Sequence, residues 1–198
     1  MKKGKTVGKL FRLGSLLLFF LFLIGCATTS SPLKSQTYEE WLLTCKDYKD
    51  VAKWQERYLV YDNQKLKENV HKAETKQPRT PTNSPEETFK LKRGVCSDAA
   101  VFSKSSLNRI NPEYKAEIVH IFPGPLPLID HYVCAFYIDG KLFILDYGTT
   151  SRSTMGTHGP FKDLEDYVNN FYLRYHPTHR TLKWYRFGWP PWKSFEPW

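Results

Sequence analysis

A cysteine attacks a carbonyl as its thiolate, and a helix N-terminus favours that form through its partial positive charge and free N–H groups. Cys96 is placed for this chemistry. Ser84, Pro85 and Glu87 supply an N-cap, a first-turn proline and an acid at the third position, predicting a short helix that Gly94 interrupts. A second helix is expected at once, from about Cys96 to Ile110, with Ala99, Ala100, Ser103, Leu107 and Ile110 on its inner stripe and Asn111-Pro112 as its stop. Gly94 would let the backbone approach a substrate, and N–H groups at the helix start would hold the oxyanion of a tetrahedral intermediate.

A thiolate needs a proton carrier, and the strand pattern offers one. Glu117 to Phe122, His131 to Ile138 and Lys141 to Tyr147 read as strands, the last two joined by Asp139-Gly140, a strong hairpin signal. A two-residue turn there sets Ile138 opposite Lys141 and Val133 opposite Asp146. Strand side chains alternate between faces, so His131, Val133, Ala135 and Asp146 share one face and Tyr132 and Cys134 the other. His131 and Asp146 are then diagonal neighbours, about 7–8 Å apart at the backbone, which an imidazole and a carboxylate can bridge.

The run Arg93-Gly94-Val95-Cys96-Ser97-Asp98-Ala99-Ala100, the strand opened by His131, and the segments Tyr137-Ile138-Asp139-Gly140-Lys141 and Phe143-Ile144-Leu145-Asp146 together resemble the core of the bacterial transglutaminase-like superfamily. The resemblance covers roughly residues 50–150, and Ser97 departs from it where many members carry a larger polar or basic residue. It implies a papain-like α+β fold, with the nucleophile at the N-terminus of a core helix packed on an antiparallel β-sheet. Cys96 would be the nucleophile, His131 the general acid/base and Asp146 its orienting acid; an upstream Trp54 or Gln55 would be a second oxyanion donor. The implied activity is acyl transfer on peptide, protein or peptidoglycan amides through a thioester, as hydrolysis, deamidation or cross-linking, with no cofactor and no metal. A non-catalytic binding lipoprotein of the same fold and a papain-like peptidoglycan endopeptidase are the alternatives.

Other candidates carry less. His120 and His158 would replace His131 only if the hairpin were misread. His176 and His179 have a spacing that can bind metal but show no third ligand. Cys45 lies on a helical stripe and, like Cys134, reads as structural, the two being either free or joined to each other.

The rest of the chain must position these groups. Thr37 and Glu40 form a capping-box pattern, and Trp41, Leu42, Cys45, Tyr48, Ala52, Gln55 and Leu59 recur at helical spacing toward Tyr61, predicting one or two helices. Residues 62–83 are polar and punctuated by Pro78 and Pro81, predicting a long surface loop. After Pro160 an amphipathic helix is expected through Phe161, Leu164, Tyr167, Val168, Phe171 and Tyr175, before an aromatic C-terminal segment holding four of the six tryptophans.

The N-terminus is of a different kind. Lys2, Lys3, Lys5, Lys9 and Arg12 precede an apolar run from Leu13 to Ile24 that is shorter than the roughly 20 residues a membrane span needs. Residues 1–25 therefore read as a lipoprotein signal peptide, with Leu23-Ile24-Gly25-Cys26 as its lipobox and Cys26 as the lipidated residue. Residues 26–36 read as a flexible tether and 37–198 as the domain, exported and lipid-anchored on the extracytoplasmic side of the envelope. Cleavage removes five basic residues, leaving 24 Lys and Arg against 20 acids, so the net charge falls from +9 to +4. That mild excess gives no ground for nucleic-acid binding. Oligomeric state is not legible.

Overall fold

Local chemistry starts each helix of the N-terminal half. The computed structural model describes residues 36–124 and 130–189. The signal peptide, Cys26, nearly all of the tether and the end of the aromatic segment lie outside them. Helix α1 (Tyr38–Leu42) opens on a reciprocal capping box, Thr37 Oγ1 accepting from the Glu40 N–H and the Glu40 carboxylate from the Thr37 N–H. The helical stripe breaks because Asp47 caps a new start: α2 (Tyr48–Tyr58) begins with its carboxylate accepting from the Lys49 N–H. The expected box of Ser84 and Glu87 opens α4 (Pro85–Leu91), which stops at Lys92, a left-handed residue with φ of 53°. Arg93–Gly94 (β2) then pairs in parallel with Val60–Tyr61 (β1), and α5 runs from Cys96 to Ile110, with Asn111 after it.

One expected loop is a helix. Residues Asn63–Glu74 form α3, capped by Asp62, whose carboxylate accepts from the Lys65 N–H at 3.0 Å. Its apolar stripe is thin, with Leu66, Val70 and Ala73 only half-buried, and its fully buried contact is a charge: Lys65 donates to both Asp98 oxygens, at 2.9 and 3.0 Å.

The sheet has five antiparallel strands in the order β6-β5-β4-β3-β7. Strands β3 (Glu117–Phe122), β4 (His131–Ile138) and β5 (Lys141–Asp146) lie where the alternation puts them. Asp139 and Gly140 both adopt positive φ, 50° and 73°, as a tight hairpin turn requires. The β4–β5 register runs from Ile138 opposite Lys141 to Cys134 opposite Leu145.

Both edge strands escaped the pattern. Residues Gly156–Phe161 form β6 rather than the start of a helix; its Gly159-Pro160 pair breaks the strand signature, and an edge is where a sheet admits proline. Helix follows from α6 (Leu164–Tyr167), capped by Asp163, through a wider turn at Val168–Tyr172 to α7 (Leu173–Tyr175). Trp184–Phe187 of the aromatic segment is β7, the other edge.

Each sheet face has its own core. Cys134, Phe136 and Leu145 pack with Trp41, Trp54, Phe89, Phe102 and Leu107, beneath α1, α2, α4 and α5. Val133, Ala135, Leu142 and Ile144 pack with Tyr167, Val168 and Tyr172 of the C-terminal helical segment. The result is an α+β architecture with helices on both faces of one antiparallel sheet.

Candidate active site

His131 is the first residue of β4 and Asp146 the last of β5. In an antiparallel pair those positions lie at the same end of the sheet, and matched parity places both on the face of Val133 and Ile144. Their side chains meet, with His131 Nε2 2.8 Å from Asp146 Oδ2, and both residues are buried. Cys96 reaches this end from the opposite face, because the helix it begins packs through Ala100 and Val101 on Ile118 and Tyr132. Its thiol donates to the Asp130 carbonyl at 3.8 Å. Cys96, His131 and Asp130 line one cleft of about 310 Å³.

The cleft explains the charge state of His131. Burial alone pushes an imidazole toward its neutral form, but the Asp146 charge, its hydrogen bond and the adjacent Cys96 sulfur outweigh it, raising His131 to about 10. With Nε2 committed to Asp146, Nδ1 is the nitrogen left for proton exchange.

Close backbone approach holds Cys96 in place. A Cβ on Gly148 would stand 2.4 Å from Cys96 Cα, so only glycine lets the chain after β5 lie against the start of α5. Gly94 serves a different purpose from the expected one. The space beside it is filled by Asp98, whose Cβ would lie 2.6 Å from an added Cβ, rather than left open to a substrate. Asp98 is fully buried and accepts from the Val95 N–H at 2.8 Å, the Asn83 N–H at 2.7 Å and Lys65, which clamps the turn before Cys96 to α3.

The remaining candidates divide cleanly. Trp54 sits in the aromatic core, 4.5 Å from Phe102 and 5.1 Å from Phe89 by ring centroids. Gln55 spends its Nε2 on Ser103 Oγ at 2.9 Å. Neither lines the cleft, whereas Tyr61 does; burial and the neighbouring Cys96 hold its hydroxyl protonated. No motif pointed to Tyr61, which enters the site through its parallel pairing with Gly94.

His120 lies with its Nε2 3.0 Å from Asp130 Oδ2 and stacks on Tyr132, while His158 is tied to the Thr154 carbonyl at 2.7 Å in a separate groove. Cys45 and Cys134 are free thiols, both pushed up by burial, Cys45 to about 11. His176 and His179, whose spacing alone would suit a metal though no third ligand is legible, line the same cleft as His131. Burial presses both down, His176 to about 3, with the help of His179 and His131, and His179 to about 4, with the help of His131, and among the described residues no cluster of three ligands forms with them.

Comparisons with known proteins agree with this arrangement at the level of the domain. Two UPF0252 proteins of Pyrococcus horikoshii are similar to the chain, one 38% identical over 37% of it and the other 32% identical over 62% of it. The matched stretches make up 22% and 32% of those relatives' own length. A family model described as a transglutaminase-like domain matches residues 32–158, which hold Cys96, His131 and Asp146, and the chain therefore belongs to that family.

Proposed function

We propose that this domain is a cysteine acyl-transfer enzyme acting on amide bonds, with Cys96 as nucleophile, His131 as general acid/base and Asp146 as the group that orients and charges His131. The observation that carries the reading is the buried 2.8 Å His131–Asp146 pair opening on the same cleft as a cysteine at a helix start. Attack of the Cys96 sulfur on the carbonyl carbon forms the C–S bond and moves the carbonyl electron pair onto oxygen. First-turn N–H groups of α5, which lack helical acceptors, and the Tyr61 hydroxyl face that charge. Collapse expels the amine, which takes a proton from the His131 imidazolium, and leaves a thioester. Water then releases an acid, or an amine forms a new amide. The donor is a peptide, protein or peptidoglycan amide, and no cofactor enters these steps. The papain-like description of the fold belongs to this reading, since it rests on the nucleophile's place at a core helix facing a strand histidine.

The N-terminal pattern supports a further part of the same reading: export, cleavage before Cys26 and anchoring through lipid on Cys26, with the domain on the extracytoplasmic side of the envelope.

Brief exposure of the folded protein to iodoacetamide, followed by peptide mass spectrometry, tests the nucleophile. Cys96 should be alkylated well before Cys45 and Cys134, and Cys96→Ala should abolish the fast phase. Fast labelling of either other cysteine, or equal labelling of all three, would overturn the assignment.

A further inference from the structure

His176 and His179 sit in the cleft yet take no part in the proton transfers above. Their rings stack at 3.9 Å between centroids, 22° from parallel, and His176 lies 6.0 Å from His131. Their Nδ1 atoms face inward. His176 Nδ1 accepts from the backbone N–H of His179 at 3.1 Å and of Thr178 at 3.4 Å. A nitrogen that accepts carries no proton, so a neutral His176 ring holds its hydrogen on Nε2. His179 Nδ1 lies 2.7 Å from the hydroxyl of buried Tyr172. Burial keeps that phenol protonated, and donation to Nδ1 leaves His179 with its hydrogen on Nε2 as well.

We infer that His176 and His179 form a substrate-binding subsite in which two neutral imidazoles donate Nε2–H hydrogen bonds to uncharged carbonyl oxygens of a peptide-like acyl donor. The inference deepens the acyl-transfer reading and rests on it. Two features choose the ligand. Among the described residues the cleft lining contains no lysine or arginine, and the His131 imidazolium is already paired with Asp146, so a carboxylate would find no unpaired counter-charge and would lie beside the Asp130 carboxylate. A stack of rings locked by backbone and phenol partners offers fixed donors at little ordering cost, which suits a neutral amide carbonyl. Both residues are positioning groups, distinct from the triad.

The test compares two Cys96-directed probes on the full chain. Methyl methanethiolsulfonate is small and has no carbonyl; a dipeptidyl chloromethyl ketone with uncharged residues presents amide carbonyls. In His176→Phe and His179→Phe, which keep a flat ring but lose the donor, the rate-constant ratio of ketone to thiosulfonate should fall roughly three- to tenfold each. His176→Gln, which restores a terminal N–H, should recover most of the loss. A ratio unchanged from wild type in both Phe variants, or a parallel fall of both rates, would overturn the subsite. Nitrogen-15 NMR of the histidine rings provides a readout that needs no variant: both should show Nε2–H tautomers, and an Nδ1–H form of either would also overturn it. Failure of the acyl-transfer reading is distinguishable, because the thiosulfonate would then show no preference for Cys96 in the wild-type protein.

Discussion

His131 carries opposite demands, being buried where a charge is costly yet set against a carboxylate that needs one. The carboxylate prevails, so His131 stays protonated far above the ordinary histidine range of about 6.5. Asp146→Asn keeps the shape of this pair and removes its charge, so the His131 titration followed by NMR should drop sharply toward neutrality. The iodoacetamide reactivity of Cys96 should fall by roughly 10²- to 10⁴-fold, short of the complete loss expected for Cys96→Ala. The same shifts govern stability. A raised histidine contributes fully below about 6.5, and its contribution is lost as pH rises toward about 10. His176 and His179 are lowered, so theirs is complete above about 6.5 and is lost as pH falls toward about 3 for His176 and about 4 for His179. Urea midpoints measured from pH 4 to 10 should therefore decline on both sides of neutrality. In Asp146→Asn the alkaline decline should flatten while the acid one persists; an unaltered alkaline limb would contradict the Asp146 account.

At the scale of elements, two contacts hold the turn that leads into Cys96, and they differ in how much they can yield. The clash created by Gly148→Ala is with the Cys96 backbone, which no rotamer change relieves. Thermal unfolding should show a loss of about 1–3 kcal/mol, together with slower Cys96 alkylation. Asp98 acts through charge and hydrogen bonds rather than space. Asp98→Ala leaves Lys65 buried without its carboxylate and strips acceptors from the Val95 and Asn83 N–H groups, so a loss of about 3–5 kcal/mol is expected. Lys65→Met should cost less, because Asp98 keeps both backbone donors. Equal losses in the two variants would show that the ion pair itself, rather than acceptance from the backbone, holds the turn.

For the molecule as a whole, residues from both sides of the sheet meet in one cleft at this sheet end. The α5 layer supplies Cys96, and the segment after Tyr172 supplies His176 and His179. A larger groove of about 610 Å³, lined by Tyr48, Lys53, Glu56 and Phe143, contains no cysteine and plays no part in this chemistry. If the proposed anchor operates, Cys26→Ser should move the protein out of the membrane fraction or leave an uncleaved precursor, read by fractionation and by incorporation of labelled palmitate. Cleaved, membrane-bound Cys26→Ser protein would rule the anchor out.

Sequence alone determined the features that depend on near neighbours along the chain. The Thr37–Glu40 and Ser84–Glu87 boxes, the start of α5 at Cys96 and the Asp139-Gly140 turn are written in residues three or fewer positions apart. Because strand parity is a strict alternation, the turn also carried His131 and Asp146 to one face. Tertiary structure decided what rests on partners far away in sequence. Helix α3 reads as a loop because its apolar stripe, Leu66, Val70 and Ala73, is sparse among polar residues, and its fully buried contact is a charge, Lys65 on Asp98. Strands β6 and β7 lie at edges, where pairing on one side tolerates Pro160 and an irregular aromatic segment. Tyr61 joined the cleft through its parallel pairing with Gly94, and His176 and His179 line it beside His131 through contacts no local pattern encodes. Trp54 and Gln55 were withdrawn into the core by Phe102 and Ser103. Local hydrogen bonds and side-chain alternation act at fixed short separations, whereas burial depends on which distant surfaces meet.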